Sequence, residues 1–244
     1  MFPYDADLVA AVAVPPRTVP DVVGIMQKIA STCVDTDGLK WFNGLYLQVT
    51  LAVQAGVNAQ GPAGQGFAQP AWIAALDVQF AGFYFAAIRA ALTAGNAPGC
   101  WQSVFNLRNQ PALARIQFAL AGMNAHINHD LPQAVVATCQ STGIAPAHGT
   151  PQYNDFTSLN ATLDGLINTA RQDLDVRLAG DALPPVTHLE NVLAAWSISA
   201  AREVAWNNAE VLWHLKDVPP VSATFMASID LSTDAASKTL LIPV

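Results

Sequence analysis

The chain has 244 residues, a net charge of −7, 12% charged residues and 52% apolar residues. The negative charge and the presence of only four lysines argue against nucleic acid or an anionic membrane as a partner. The charged fraction is about half that of typical soluble domains, which favours self-association, for example as a homodimer.

No run of uncharged apolar residues reaches the length of a membrane span, because Asp77 and Arg89 interrupt the most apolar stretch. The N-terminus lacks the basic start of a secretory signal. The cysteines are odd in number and form no metal-type pair: Cys33, Cys100 and Cys139. We therefore expect a cytoplasmic protein with reduced thiols.

Hydrophobic periodicity and cap signals predict seven or eight helices between two irregular arms, 1–19 and 219–244. In chain order the predicted segments are 21–33, 39–57, 69–92, 101–107, 111–130, 131–142, 154–178 and 188–215. Neither a strand–turn–helix alternation nor a repeat of 20–50 residues is present. The sequence therefore predicts an all-α fold, with residues 1–244 as a single domain.

Between the second and third predicted helices lies a Gly-rich loop, residues 56–70. Loops of this length in compact domains often act as lids, but the variability of loops favours a tolerated surface loop. The loop lacks the Lys-Ser/Thr ending and the flanking strand of a phosphate-binding loop, and the chain contains no nucleotide or organic cofactor motif.

The third predicted helix contains an acidic residue in its apolar face. Ile73, Phe80, Tyr84 and Ile88 form one stripe, and Asp77 lies in the middle of it. Burying an unpaired carboxylate costs several kcal/mol. We therefore expect Asp77 to be hydrogen-bonded, ion-paired or bound to a metal.

The segment 124–132 concentrates chemistry-bearing residues. On a helix, His126, His129 and Asp130 fall within an arc of about 100°, so they can converge on one ion or one substrate. Pro132 must end or kink this helix within a turn. Asp130 can therefore also be interpreted as the N-cap of segment 131–142. His148, in the loop that follows that segment, is interpreted as a surface histidine.

The last predicted helix carries a second polar row, Glu203, Asn207, Glu210 and His214, spaced 4, 3 and 4. Such a row can be an exposed face or the lining of a cavity. The row runs beside tryptophans such as Trp206 and has no lysine, which favours the cavity.

Together these residues suit Zn, Fe(II) or Mn(II) bound between helices. The predicted ligands are Asp77, His126, His129, Asp130, Glu203, Glu210 and His214. In a metal-free alternative, His126 is held by Asp130 or Glu203 and acts as general acid or base. In a purely structural alternative, neighbouring groups satisfy the histidines.

Several blocks of the sequence resemble a known family. The block 122–132 (GMNAHINHDLP), with 41–46, Leu76-Asp77 and 201–206, is similar to the signature of an uncharacterised bacterial family, DUF5995. The resemblance implies a fold unit and a set of positions, without an activity. These positions are Asp77, Asn124, His126, His129, Asp130, Arg202 and Glu203. Glu210 and His214 lie outside the resemblance.

We therefore predict a small-molecule enzyme of hydrolase or lyase/cyclase type that acts on a largely apolar substrate. The predicted catalytic residues are His126, Asp130, Arg202 and Glu203. The predicted substrate-binding residues are Trp41, Tyr46, Tyr84, Asn124 and Trp206, with Phe80 as a further wall. The alternative is a non-catalytic helical module that binds an apolar ligand, with structural histidines.

Overall fold

The computed structural model describes residues 2–59, 66–93, 96–178 and 197–243, including their side chains except at 166–178. The helices are α1 (Asp5–Ala11), α2 (Val19–Thr32), α3 (Gly38–Asn58), α4 (Pro70–Thr93), α5 (Gly99–Leu107), α6 (Arg115–Asn124), α7 (Leu131–Thr142), α8 (Pro151–Leu178), α9 (Ile198–Leu215) and α10 (Pro219–Leu240). One π-helical turn, Ala125–Asp130, joins α6 to α7. These residues contain no strand, so the predicted all-α fold is confirmed.

Short polar side chains begin three of the helices. Thr18 and Asp21 form a capping box at α2, Asp37 accepts the backbone N–H of Leu39 at α3, and Ser197 caps α9. Each cap satisfies an N–H group that has no partner inside its own helix. Asp21, the first residue of the predicted segment 21–33, is the third residue of α2, because Thr18 takes the cap position.

Two glycines allow α3 and α6 to pack closely. A Cβ atom at Gly122 would lie 2.4 Å from the Phe42 ring, and one at Gly38 would lie 2.4 Å from the Phe118 ring. Contacts this short do not occur, so only glycine fits at either position. The close packing brings the aromatic residues of α3 against the π-turn.

The prediction of an irregular C-terminal arm is wrong, because residues 219–240 form α10. Its buried positions, Ile229, Thr233, Ser237 and Leu240, have helical spacing, but two of them are polar. The hydrophobic pattern therefore underestimates the helix. Hydrogen bonds from α6 hold it in place, as the Asn124 amide donates to the Thr233 carbonyl at 2.8 Å.

The N-terminal arm is also more ordered than predicted. Leu8 of α1 is fully buried, and Asp5 lies 3.0 Å from the guanidinium of buried Arg108. Arg108 also binds Asp37, the cap of α3. This ion network ties the start of the chain to the core.

Two other predicted segments lie partly outside the residues that the structure describes. Residues 60–65 of the predicted loop and 188–196 of the last predicted helix lie outside the described residues. In the part that is described, α4 is long and apolar enough to cross a membrane by length and composition, although half of the relevant window is buried.

Candidate functional site

The site begins at the π-turn. The backbone N–H of Leu131 bonds to the carbonyl of His126, five residues back, instead of four. Pro132 follows at the start of α7, where its missing N–H is tolerated. Pro132 was predicted to end or kink the helix within a turn. In the structure the hydrogen-bond pattern changes to a π-helical turn just before Pro132, and α7 follows. Such π-turns occur frequently at functional sites.

Asp130 is the centre of a buried hydrogen-bond network. Its Oδ2 lies 2.9 Å from Nδ1 of His126, and its Oδ1 lies 2.7 Å from Nδ1 of His129. The indole Nε1 of Trp101 donates to Oδ2 at 2.9 Å. Asp130 occupies the N-cap position of α7, as the alternative interpretation predicted, but its side chain makes no cap bond. The two histidines converge on Asp130 itself.

The pKa values of this network move in different directions. Burial raises the pKa of Asp130, but hydrogen bonds from the two imidazoles outweigh it and leave that pKa below its usual value. Burial lowers the pKa of His126 despite its bond to Asp130. Burial also acts on His129, but the bond and charge of Asp130 leave its pKa raised. His126 is therefore neutral at neutral pH, and its Nδ1–H donates to ionised Asp130.

The other ring nitrogen of His126 is the chemically important one. Nε2 is buried and has no hydrogen-bond partner among the described residues. The ring stacks on Phe80, with centroids 3.5 Å apart and planes inclined by 6°, and Tyr46 lies at 4.4 Å. Because Nδ1 carries the proton, Nε2 presents a lone pair in an aromatic environment.

Two adjoining cavities lie at this aromatic cluster. One of about 40 Å³ is lined by Asp77 and one of about 50 Å³ by His126; Tyr46, Phe80 and Arg202 line both. The other lining residues are almost all aliphatic. Each cavity has room for a few water molecules or one small functional group.

The cost of burying Asp77 is avoided by protonation of its carboxyl group, which was not predicted. Its Oδ2 has no partner in the described chain, and burial raises its pKa to about 8. The carboxyl group is therefore protonated at neutral pH. The hydroxyl of Tyr46, in the same cavity, is also buried without a partner in this part of the structure. Burial, followed by the charge of Asp77, raises the pKa of Tyr46.

Arg202 provides a positive charge at both cavities. Its Nε donates to Oδ1 of Asn160 and its Nη2 to the carbonyl of Phe156, both at 2.7 Å. Burial lowers its pKa to about 9. The guanidinium is therefore still charged at neutral pH, as its predicted catalytic role requires.

The predicted metal set does not come together. Glu203 and Glu210 each bind His148, at 2.9 and 2.8 Å, on a partly exposed face. His214 is exposed. The predicted cavity lining by this row is wrong, because a surface histidine 62 residues before Glu210 in the chain satisfies both carboxylates. His126, His129 and Asp130 therefore lie together, whereas Glu203 and Glu210 lie apart from them beside His148.

Most of the predicted substrate-binding residues have structural contacts instead. Trp41 donates to a backbone carbonyl near the surface, and Arg115 stacks on its ring. Tyr84 and Trp206 are fully buried in the core and line neither cavity. Asn124 binds α10. Of the five predicted residues, Tyr46 alone borders the cavities described here.

Trp101, whose indole N–H donates to Asp130, was not among the predicted site residues. This donor precedes the carboxylate by 29 residues and lies on a different helix, α5. No spacing rule connects the two positions. The only sequence signal is a tryptophan in a short helical segment, which also fits a simple core residue.

The fold and the site define an all-α protein with a buried histidine–carboxylate network beside small, mainly apolar cavities. The chain belongs to the family described as "Family of unknown function (DUF5995)", whose model matches residues 19–243. Comparisons with curated proteins and with solved structures gave no match. The family resemblance noted in the sequence is thereby confirmed.

The surface contact of His148 predicts a small pH effect on stability. The hydrogen bond with Glu203 and the charge of Glu210 raise the pKa of His148. The resulting stabilisation is complete below the unfolded pKa near 6.5 and is lost as the pH rises through the raised value. Because the pair is exposed, we expect His148→Gln to cost at most about 1 kcal/mol at pH 5.5 and less at pH 9.

Urea unfolding at the two pH values measures this effect. His214→Gln, at an exposed position on α9, is the matched control and should show no such difference. An equal loss for His148→Gln at both pH values would contradict the assigned ion pairs.

Proposed function

We propose that this protein is an enzyme that transfers protons on a small, largely apolar substrate, with His126 as general base and Asp77 as general acid. The observation that carries the proposal is that three of the seven buried side-chain atoms without a hydrogen-bond partner in the described residues belong to side chains that line the two cavities: Nε2 of His126, the hydroxyl of Tyr46 and Oδ2 of Asp77. Buried polar atoms normally have partners. Here water can satisfy them in the free protein, and the polar group of a substrate can replace it.

The protonation states fit acid–base work. His126 is neutral and its Nδ1–H donates to Asp130, so Nε2 can accept a proton. The imidazolium formed would be stabilised by the Asp130 carboxylate. Asp77, with a pKa of about 8, carries a proton at neutral pH. Burial lowers the pKa of His126 and raises that of Asp77, so at neutral pH the base is unprotonated and the acid is protonated.

The remaining groups fit the stabilisation of developing negative charge. The Tyr46 hydroxyl and the Arg202 guanidinium border both cavities. In a largely apolar environment, a hydrogen-bond donor and a fixed cation stabilise an oxyanion more strongly than they would in water. Lyase and cyclase reactions, and hydrolysis by activated water, all use this combination.

The size of the cavities limits what they can bind. Pockets for whole substrates are usually several hundred Å³, far larger than either cavity. In our proposal the cavities hold the reacting polar group. The apolar remainder would displace the side chains along one wall, where Leu163 borders both cavities and Ile198 one of them.

A carbonyl-compound panel tests this proposal. Small apolar ketones, esters and carboxylic acids would be screened for turnover, and kcat/KM then compared between variants. We expect His126→Gln to lower kcat/KM by about 10²–10⁴-fold, the usual contribution of a general base. Full activity of folded His126→Gln would refute the assignment. Ligands that bind without turnover would favour the non-catalytic binding module.

Substitution of Tyr46 provides a second test of the proposed site, through melting temperature and ligand binding. Since the buried hydroxyl of Tyr46 has no partner in the described structure, Tyr46→Phe should retain or raise the melting temperature while weakening ligand binding. Tyr84→Phe is the matched control, because Tyr84 is equally buried but lines neither cavity. A ligand response that is unchanged in Tyr46→Phe would exclude the hydroxyl from the site.

A further inference from the structure

A second side-chain cluster lies on the His129 side of the network. Cys100, His129 and Asp230 come from α5, the π-turn and α10, and one ligand atom of each lies within 4.8 Å of the other two. Cys100 and His129 are buried, and Asp230 is half-buried. None of the three lines the cavities at His126.

The hydrogen bonds already present leave suitable atoms available for binding. Nδ1 of His129 faces Oδ1 of Asp130 at 2.7 Å, so Nε2 is the nitrogen left to ligate. Metal-binding histidines usually donate their other ring N–H to a carboxylate in this way. Asp130 would therefore orient the histidine ligand from behind.

Asp230 is held in position by the start of α5. Its Oδ2 accepts the backbone N–H of Gly99 at 2.8 Å, and its Oδ1 accepts that of Cys100 at 3.0 Å. A carboxylate has about four lone-pair positions, so two remain for another partner. These bonds fix the carboxylate beside the thiol without using its full capacity.

We propose that Cys100, His129 and Asp230 form a site for a divalent transition metal of the Zn²⁺ type, with a fourth position for water or a ligand. One sulfur, one nitrogen and one oxygen donor match the preferences of Zn²⁺ and Co²⁺. The thiol loses its proton to solvent as the metal–sulfur bond forms. The ligand set predicted from the sequence contains no thiolate, and His129 is the only residue common to that set and this site.

The geometry requires only small movements. Bonds of about 2.0–2.3 Å at tetrahedral angles place ligand atoms roughly 3.5 Å apart. The three atoms here lie within 4.8 Å of one another, so they need to approach by about an ångström. Side-chain rotations provide that distance without a change in the helices.

The site goes beyond the proposed function, because its ligands lie outside the proposed reaction cavity. It nevertheless shares Asp130 with that cavity: one carboxylate oxygen binds His126 and the other binds His129. A cation at His129 would therefore reinforce the orientation of Asp130, and through it that of His126.

Cobalt titration of the untagged, metal-free 244-residue chain tests the proposal. We expect saturable 1:1 binding with a near-ultraviolet thiolate-to-cobalt absorption band that Zn²⁺ displaces. Cys100→Ser should abolish this band, whereas Cys139→Ser, a control at another buried free thiol, should retain it. Asp130→Asn should weaken binding by about 10–100-fold, as expected for the partner of a ligand.

Two further measurements keep the outcome decisive. X-ray absorption of zinc-loaded wild-type protein should show one sulfur at about 2.3 Å with nitrogen or oxygen neighbours, even if Cys100→Ser does not fold. His126→Gln should still bind cobalt, so failure of the proposed catalysis and failure of the metal site remain distinguishable. Absence of saturable binding, or a thiolate band that survives in Cys100→Ser, would overturn the proposal.

Discussion

Asp130→Ala is expected to lower the free energy of unfolding by about 3–5 kcal/mol, the range for breaking a buried charged network. The substitution leaves three buried donors without their acceptor: Nδ1 of His126, Nδ1 of His129 and Nε1 of Trp101. Each unsatisfied buried group costs about 1–3 kcal/mol, partly offset where water can enter. Chemical denaturation at pH 7 measures the loss.

Two controls separate the network from a general effect of losing a carboxylate. Asp130→Asn keeps the shape and one acceptor oxygen, so it should cost clearly less than Asp130→Ala. Asp164→Ala, at an exposed position on α8, should change stability by at most about 0.5 kcal/mol. If Asp130→Ala were as mild as Asp164→Ala, the network would not contribute to stability.

The sequence predicts the composition of this network better than its geometry. Two histidines and an aspartate within five residues correctly indicate side chains that meet, because helical spacing brings such residues together. The spacing does not reveal that Asp130 binds both imidazoles. It also does not reveal the π-turn, since the pattern of side chains carries no direct signal for a change from i−4 to i−5 hydrogen bonds.

Contacts between distant segments explain the other differences. Glu203 and Glu210 fit a cavity lining until His148, from the loop before α8, is placed against them. The C-terminal helix was missed because its buried face includes Thr233 and Ser237, which accept hydrogen bonds from Asn124 on α6. Hydrophobic periodicity predicts helices that bury apolar stripes, whereas these partners depend on the tertiary fold.

Asp77 illustrates a limit of another kind. The apolar stripe around it correctly predicts burial, and the cost of a buried charge correctly predicts that it cannot remain an isolated anion. The expected partner was a hydrogen-bond donor, a cation or a metal ion. The structure leaves Oδ2 without a partner among the described residues, and the cost is avoided by protonation.

Protonation of Asp77 predicts a large pH dependence of stability. Burial raises its pKa from 3.8 to about 8, so between these values the folded state holds a proton that the unfolded state has lost. The contribution of this proton to the free energy of unfolding is therefore fully present below the unfolded pKa. It falls by up to about 1.4 kcal/mol per pH unit until the folded pKa is reached. Asp77→Asn removes this dependence while keeping the shape and the neutral charge.

Unfolding curves at pH 5 and pH 8 measure the effect as the difference between wild type and variant. From pH 5 to pH 8 we expect the free energy of unfolding of Asp77→Asn to rise by about 4 kcal/mol relative to that of wild type. Among the other ionisable cavity groups, Arg202 and Tyr46 titrate above this interval, because burial leaves the pKa of Arg202 at about 9 and that of Tyr46 well above 10. His126, whose pKa burial lowers, contributes to wild type and variant alike and cancels from the difference. Asp164→Asn should give curves parallel to wild type. Parallel curves for Asp77→Asn as well would mean that Asp77 is ionised in the folded protein, and the proposed general acid would then have no proton to donate.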